Sequence, residues 1–170
     1  CSAPGRLPLE IGVRLQPGGR FAAVVANELA EGDMLEAMPP SGQFVARPDP
    51  TRRRTVLVFA AGSGITPVLS ILRSILETEA DSRVLLFYGN RRRATAMFID
   101  DLFALKNRFP ERLQLHFVFS QEQQEFPIMS GRLDAEKIRE LEAAFWRRLE
   151  PDEAYICGPG TMLDTVRDTL

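Results

Sequence analysis

The chain has 170 residues, of which 45% are hydrophobic, and its formal net charge is −2. This length allows one full domain and a little more, with a core large enough to fold without disulfides. The near-neutral charge argues against a nucleic acid partner, and no apolar run is long enough to cross a membrane. The two cysteines, Cys1 and Cys157, are too few for an iron–sulfur cluster or a structural zinc. We therefore expect a cytoplasmic protein that holds no metal in this chain.

Short elements separated by turns are predicted in the first 54 residues. Apolar residues alternate over residues 7–15, which predicts a strand with one buried face. A helix is predicted over residues 21–29, directly after a pair of glycines, and further strands over residues 34–38 and 42–45. Residues 48–54 are polar and contain two prolines, which is typical of a linker, so we place a domain boundary there.

Strands and helices alternate regularly from residue 55 onward. The strands are mostly apolar, as expected when both faces of a sheet are covered. Because parallel strands need crossover helices, this order predicts an α/β fold with a doubly wound parallel sheet. The predicted strands cover residues 55–60, 83–88, 113–119 and 154–157, and the predicted helices cover residues 66–79, 95–109, 134–149 and a last stretch from about residue 161.

The Gly62-Ser63-Gly64 stretch after the strand at residues 55–60 is typical of a phosphate-binding turn. Glycines let backbone N–H groups approach a pyrophosphate, and the helix N-terminus behind them carries partial positive charge. Thr66 is predicted to cap that helix and Pro67 to lie in its first turn. The third glycine of the usual dinucleotide fingerprint is absent, because Pro67 stands in its place. The alternative is an ordinary tight turn.

Cys157, Gly158 and Pro159 follow the fourth strand of the predicted sheet. Ligands of open α/β sheets bind outside the carboxyl ends of the strands, where the strand order reverses. In the common topologies the first and fourth strands of the sheet adjoin at that point. Cys157 is therefore predicted to face the reacting ring of a bound dinucleotide, and the alternative is a small buried core cysteine.

Polar residues at other chain positions are candidates for binding the rest of such a ligand. Arg91 follows the second strand of the sheet, and arginine suits bidentate phosphate binding. Ser120 follows the third strand and could bind a ribose or its 2′-phosphate. Each residue also fits a solvated loop. His116, inside the third strand, is predicted to be structural.

The Gly18-Gly19-Arg20-Phe21 stretch opens the helix predicted in the first 54 residues. Its backbone could form a second phosphate nest, and a simple turn from an extended segment into a helix explains it equally well. The sequence contains no supported Ser/His/Asp arrangement and no Walker-type phosphate loop. These patterns give little support to hydrolytic or phosphoryl-transfer chemistry.

Four stretches of the chain, in this order and spacing, resemble the ferredoxin–NADP reductase superfamily. They are GGRFA at residues 18–22, AAGSGITP at 60–67, YGNR at 88–91 and CGPGTM at 157–162. Among subfamilies, the residues in these stretches are most similar to those of the reductases of phenylacetyl-CoA epoxidase systems, which act in phenylacetate catabolism. The resemblance implies an NAD(P)H-dependent, FAD-containing oxidoreductase. Such an enzyme transfers hydride to the flavin and passes electrons to an iron–sulfur centre or an oxygenase partner.

The resemblance also implies roles for individual residues. The backbone of Gly19, Arg20, Phe21 and Ala22 would bind the FAD pyrophosphate, although the family usually has Ser or Thr at the position of Ala22. The nucleotide loop would comprise Gly62, Ser63, Gly64, Thr66 and Pro67. Arg91 and Ser120 would meet the adenosine end and favour NADPH over NADH, and the nicotinamide would lie beside Thr66, Cys157, Gly158, Pro159 and Met162. Of these residues, Thr66 and Cys157 would shape the catalytic pocket.

Two domains follow from the same resemblance. Residues 1–47 would be the C-terminal part of an antiparallel β-barrel that binds FAD, and residues 55–170 an NAD(P)-binding domain without its last strand. The family's arginine-x-tyrosine-serine flavin motif is absent, and the chain stops inside a helical pattern. We therefore expect a fragment that binds FAD poorly, with a 2Fe-2S cluster only in a missing C-terminal domain.

Two other functions remain open from the sequence. The chain could be a nucleotide-binding or regulatory module without flavin redox activity, which Ala22 and the missing barrel would suit. It could also be an ordinary dehydrogenase. Pro67 argues against a dehydrogenase, as does the Tyr88-Gly89-Asn90 stretch, where such enzymes carry an acidic residue.

Overall fold

The sheet and its helices occupy the last two thirds of the chain. The computed structural model describes residues 1–3, 5 and 8–170. Helix α1 precedes the sheet, and four strands then alternate with helices α2 to α5. The helices are α1 (Arg20–Asn27), α2 (Ile65–Thr78), α3 (Ile99–Arg108), α4 (Ala135–Leu141) and α5 (Gly160–Thr169), and the strands are β1 (Thr55–Ala61), β2 (Arg83–Asn90), β3 (Leu113–Phe119) and β4 (Glu153–Cys157).

All four strands run parallel in the order β3-β2-β1-β4. The predicted α/β fold with a doubly wound parallel sheet is therefore confirmed, and each strand lies within two residues of its predicted bounds. The order reverses between β1 and β4, because the chain extends the sheet from β1 to β3 and then returns to the other side of β1. Ligands of such sheets bind at this reversal.

Two apolar layers cover the two faces of the sheet. Helices α2 and α3 pack on one face, against a cluster that includes Val58, Leu86 and Tyr88. Helices α4 and α5 pack on the other face, against Phe59 and Phe87 among others. Each strand alternates its side chains between the layers, which is why β1 and β2 are apolar over most of their length.

A buried ionic network closes the amino end of the sheet. Arg54 donates two hydrogen bonds to the Glu79 carboxylate, at 3.0 and 2.8 Å, and also pairs with Glu153. The Ser82 hydroxyl donates to Glu79 at 2.7 Å. Arg112 donates to the Leu76 and Glu79 carbonyls at 2.7 Å each, and so satisfies the end of α2. Every charged group in this network has a partner, as a buried charge requires.

The first 54 residues differ from the prediction. The helix predicted over residues 21–29 is confirmed as α1, with Gly19 as its N-cap. The strands predicted over residues 7–15, 34–38 and 42–45 are wrong for the described residues, and Leu7 lies outside them. Their alternating apolar side chains face solvent, since Leu9 is 79%, Met34 96% and Met38 90% exposed. A strand forms only where a neighbour completes its hydrogen bonds, and no described segment pairs with these stretches.

Three helix boundaries also differ from the sequence prediction. The helix predicted over residues 95–109 is α3 and begins only at Ile99, after a separate 3₁₀ turn at Arg93–Thr95. Thr66 is not the cap of α2, because a 3₁₀ turn over Gly62–Gly64 starts the helix earlier and makes Gly64 the N-cap. The helix predicted over residues 134–149 begins with an Asp134 cap that accepts from the Lys137 amide. It ends at Leu141 as an α-helix and continues as a π-helical turn to Trp146. None of the described helices combines the length and apolarity needed to cross a membrane.

Candidate functional site

The two glycine turns predicted from the sequence meet at the carboxyl end of the sheet. The β1–α2 turn (Gly62–Gly64) and the β4–α5 turn (Gly158–Pro159) lie side by side, because β1 pairs directly with β4 up to Ala60 and Cys157. A Cβ built on Gly64 would lie only 2.1 Å from the Cys157 carbonyl oxygen. Only a residue without a side chain fits there, so this glycine is required by close packing.

An open cleft of about 1150 Å³ lies over the two turns. Both turns line it, together with the ends of β2 and β3. Residues 14–17 also line it, and they belong to the N-terminal segment, residues 8–19, that precedes α1. The cleft contains eleven of the predicted site residues: Gly62, Ser63, Gly64, Thr66, Pro67, Arg91, Ser120, Cys157, Gly158, Pro159 and Met162. Its volume exceeds that of typical small-ligand pockets, which suits an extended ligand.

Two helix N-termini open into this cleft. Residues of the first turn of α2 and of α5 line it, including Thr66, Pro67, Thr161 and Met162. The first N–H groups of a helix have no partner within the helix and carry partial positive charge. A diphosphate placed between the two ends would meet both sets of N–H groups.

Arg14 of the N-terminal segment reaches across the β1–α2 turn. Gly62 has a φ of 55°, and a Cβ built on it would lie 2.6 Å from the Arg14 Nη1 atom. The segment is held in place by Gly12, whose own Cβ position lies 2.7 Å from the Phe98 ring and from the Thr66 methyl group. This packing puts an exposed guanidinium at the mouth of the cleft, beside the phosphate-type turn.

Thr66 and Cys157 lie at the point where the strand order reverses. The Thr66 hydroxyl donates to the Ser63 carbonyl at 3.0 Å, which leaves its oxygen able to accept a hydrogen bond. Burial raises the pKa of the Cys157 thiol, so the thiol is neutral at physiological pH. A neutral, half-buried thiol is a weak nucleophile and serves as a small apolar wall.

The far part of the cleft is lined by the loops after β2 and β3. Arg91 and Arg132 are exposed there, and Ser120 is half-buried. The loops are tied together, because the Ser120 amide donates to the Asn90 carbonyl at 3.0 Å and the Gln121 amide to the Arg91 carbonyl at 2.8 Å. Two exposed guanidinium groups in one region suit a phosphate monoester.

The predicted flavin residues Gly19, Arg20, Phe21 and Ala22 do not line this cleft. They form the exposed N-terminus of α1, which the segment Arg14-Leu15-Gln16-Pro17 connects to the cleft. Helix α1 has no buried residue.

His116 lies away from the cleft, as predicted for a structural residue. Its ring stacks on Phe87, with centroids 4.8 Å apart, and contacts Phe145. Burial, with a smaller contribution from the Lys106 charge, lowers the pKa of His116 to about 4. The imidazole is therefore neutral and works as part of the core.

Sequence reasoning missed two cationic residues of the cleft. Arg14 falls within a predicted strand, and the only signal for Arg132 is the preceding glycine in a loop. Within the described residues, no group of three or more His, Cys, Asp or Glu side chains could hold a metal ion. Both cysteines are free thiols.

Comparison with known proteins agrees with this geometry. The family model described as "Oxidoreductase NAD-binding domain" matches residues 58–168. The chain is 42% identical over 166 residues to a component of the 1,2-phenylacetyl-CoA epoxidase of Escherichia coli K12, covering 96% of this chain and 47% of that protein. It is 35% identical to the ferredoxin reductase component of 3-ketosteroid-9-alpha-monooxygenase from Rhodococcus rhodochrous, covering 86% of this chain and 37% of that protein. The chain thus spans less than half the length of these relatives.

A solved structure supports the fold. The cytochrome b5 reductase domain of Ulva prolifera nitrate reductase superposes with a TM-score of 0.74 at 24% identity, over 94% of this chain and 65% of that one. At this identity the likeness concerns the architecture, and it agrees with the parallel sheet described above.

Proposed function

The chain belongs to the oxidoreductase NAD-binding domain family of ferredoxin reductase-like proteins, and on that premise we propose that its cleft binds NAD(P)H as the electron donor of a flavin-dependent reductase. The contact of Gly64 with the Cys157 backbone is the observation that carries the proposal. It brings two glycine turns and two helix N-termini to one place at the strand reversal. That arrangement suits the pyrophosphate and nicotinamide of a dinucleotide.

The pyrophosphate would lie across the β1–α2 turn. The backbone of the Gly62–Gly64 turn and the positive end of the α2 dipole would face the phosphate oxygens. Arg14, whose guanidinium lies over Gly62, would add charge-assisted hydrogen bonds.

The nicotinamide would lie between Thr66 and Cys157. When bound, it supplies a hydride that a flavin can accept and pass on as single electrons. The protein's contribution is placement, because a ring held in the reactive geometry avoids much of the entropic barrier. Thr66 would accept a hydrogen bond from the carboxamide. The neutral Cys157 thiol would exclude water at the reacting face, with Gly158, Pro159 and Met162 beside it.

The adenosine would extend toward the loops after β2 and β3. Arg91, Ser120 and Arg132 offer cations and a hydroxyl for a 2′-phosphate, which favours NADPH over NADH. An Arg91→Ala variant should weaken NADP⁺ binding more than NAD⁺ binding in isothermal titration. An equal loss of affinity for NADP⁺ and NAD⁺ would contradict the proposed preference for NADPH.

We place the flavin on the N-terminal side of the cleft. In this proposal residues 1–47 belong to an FAD-binding unit, and the backbone at the start of α1, from Gly19 through Arg20 and Phe21 to Ala22, meets the FAD pyrophosphate. Electrons would leave toward an iron–sulfur centre or an oxygenase partner, as in the monooxygenase systems to which two relatives belong by name. The 42% identity to an epoxidase component makes phenylacetate catabolism the pathway we favour.

Anaerobic mixing of FAD and then NADPH with a purified protein that spans the full length of the relatives tests the proposal. We expect a yellow protein whose flavin absorbance bleaches when NADPH is added. A protein that stays colourless with FAD but binds NADP⁺ would instead be a nucleotide-binding or regulatory module. A protein that binds neither would refute the assignment of the cleft.

A further inference from the structure

A buried tyrosine lies directly beneath the β1–α2 turn. Tyr88, near the end of β2, pairs with Ala60 of β1 and is fully buried between the sheet and the α2–α3 layer. Its hydroxyl donates to the Gly62 carbonyl at 2.9 Å and accepts from the Met97 amide at 3.1 Å. One phenol oxygen thus connects a turn of the cleft with the loop before α3.

The hydroxyl fixes one of the several backbone conformations that are open to a glycine. Gly62 has a φ of 55°, in the left-handed region, and its carbonyl is fixed by Tyr88 from below. Burial raises the pKa of Tyr88, so the group stays protonated and can donate at physiological pH. A buried tyrosine normally finds a hydrogen-bond partner. Here the partner is the turn that faces the ligand.

The same hydroxyl is connected to the N-terminal segment. Met97 precedes Phe98, which adopts a φ of 58°, rare for a bulky residue. The Phe98 ring closes over Gly12, two residues before Arg14. The Asn90 side chain also faces the Tyr88 hydroxyl, and its buried Nδ2 completes no hydrogen bond within the described residues. A polar shell therefore surrounds this one oxygen beneath the cleft.

We propose that Tyr88 is a positioning residue for the dinucleotide pyrophosphate: its hydroxyl fixes the Gly62 turn and, through Met97 and Phe98, aligns the segment that carries Arg14. This inference rests on the proposed nucleotide function of the cleft and adds a residue that never touches the ligand. The residue acts through the shape of the turn.

The test compares the chain's only two tyrosines. Tyr88→Phe removes one oxygen beneath the cleft, and Tyr155→Phe removes one oxygen at a buried site that does not line it. NADP⁺ and NAD⁺ are titrated into each purified full-chain variant by calorimetry, and thermal unfolding is recorded in parallel. We expect Tyr88→Phe to weaken the tighter-binding nucleotide about tenfold, and Tyr155→Phe to leave its affinity unchanged.

A double-mutant cycle separates positioning from general destabilisation. Gly62→Ala strains the same turn, so combining it with Tyr88→Phe should give less than the product of the two single effects on affinity. Arg132→Ala acts from another loop and shares no partner with Tyr88 among the described contacts, so its effect should multiply with that of Tyr88→Phe.

Each outcome of the test bears on the inference. Unchanged affinity in Tyr88→Phe overturns it, as does an equal loss in Tyr155→Phe or independent effects of Tyr88→Phe and Gly62→Ala. If the unmodified protein binds neither nucleotide, the proposed function itself fails and the role of Tyr88 fails with it. Affinity that falls about tenfold in Tyr88→Phe but stays unchanged in Tyr155→Phe, together with the predicted cycle, supports it.

Discussion

The two ends of the sheet are built by the same strands but from opposite kinds of residue. At the amino end, Arg54, Glu79 and Ser82 form a closed network in which each charge is paired. At the carboxyl end, glycines bring bare backbone to the surface, and Arg91 and Arg132 line a cleft without an ion-pair partner among the described residues. A parallel sheet thus separates stability from binding along one axis.

This difference predicts which substitutions should change the free energy of unfolding and which should change nucleotide affinity. Changes at the amino end should lower the free energy of unfolding and leave nucleotide affinity per folded molecule intact. Changes at the carboxyl end should lower nucleotide affinity. The experiments below test that division, beginning with the largest expected effect.

Replacing Glu79 by Gln should destabilise the fold by up to about 3–5 kcal/mol, because the buried Arg54 charge would keep only the exposed Glu153 as its counter-charge. Urea unfolding measures this change. Glu140→Gln is the matched control, since its pair with Lys137 is on the surface and should cost at most about 1 kcal/mol. A Glu79 variant as stable as the control would show that the network contributes little.

Stability should fall in acid in two separate steps. The folded pKa of His116 is about 4 against 6.5 for the free group. The unfolded chain therefore binds more protons as the pH drops from 6.5 to 4, and on the order of 2–3 kcal/mol is lost. Burial raises the pKa of Glu79, but hydrogen bonds from Arg54 and Ser82 outweigh it and the net pKa is lowered. Its contribution is therefore lost below about pH 4.5.

Unfolding free energies measured across this range assign the two steps. A His116→Phe variant should lose the first step and keep the second. If its profile between pH 6.5 and 4 matches that of the unmodified protein, the buried imidazole is not the source.

At the carboxyl end, Gly64→Ala should lower nucleotide affinity as well as stability. Its Cβ would collide with the Cys157 carbonyl and force the two turns apart. We expect at least a tenfold loss of nucleotide affinity with about 1–3 kcal/mol of destabilisation. Gly160→Ala is the control, because nothing described lies within 4 Å of its Cβ position. Equal affinities in both variants would break the proposed division between the two ends.

Cys157→Ala should have the smallest effect on the equilibrium measurements. It removes only a neutral sulfur, so NADPH affinity should change little. The rate of flavin reduction should fall roughly tenfold, because the ring loses a wall that orients it. Stopped-flow absorbance measures that rate, and an unchanged rate would exclude a role in placement.

The division between the two ends also explains what could be predicted from the sequence. The four strands are mostly apolar and are followed by glycines or polar loops, so their positions and the meeting of the two turns followed from local patterns. The buried pairing of Arg54 with Glu79 could not be foreseen, since the two residues are 25 positions apart and neither carries a local signal.

The N-terminal segment shows the limit of pattern reading most clearly. Apolar and polar residues alternate over residues 7–15, as is typical of a strand. This pattern shows only which side chains are apolar. Pairing depends on a neighbour that the pattern does not contain. Arg14 reaches the cleft because Gly12 packs against Thr66 and Phe98, contacts between residues that are far apart in the chain. Long-range contacts of that kind produce no periodic pattern of apolar residues, so they cannot be predicted from the local sequence.

The strand order has a consequence for how the protein folds. Strands β1, β2 and β3 join through short crossovers, whereas β4 must return to β1 across a long stretch of chain, as the bond from the Thr55 amide to Asp152, 97 positions away, illustrates. Closing so long a loop is slow and entropically costly. Because one of the two glycine turns of the cleft follows β4, competence to bind nucleotide should arise only with this last docking event. Ligand capture during refolding would therefore report the arrival of the final strand.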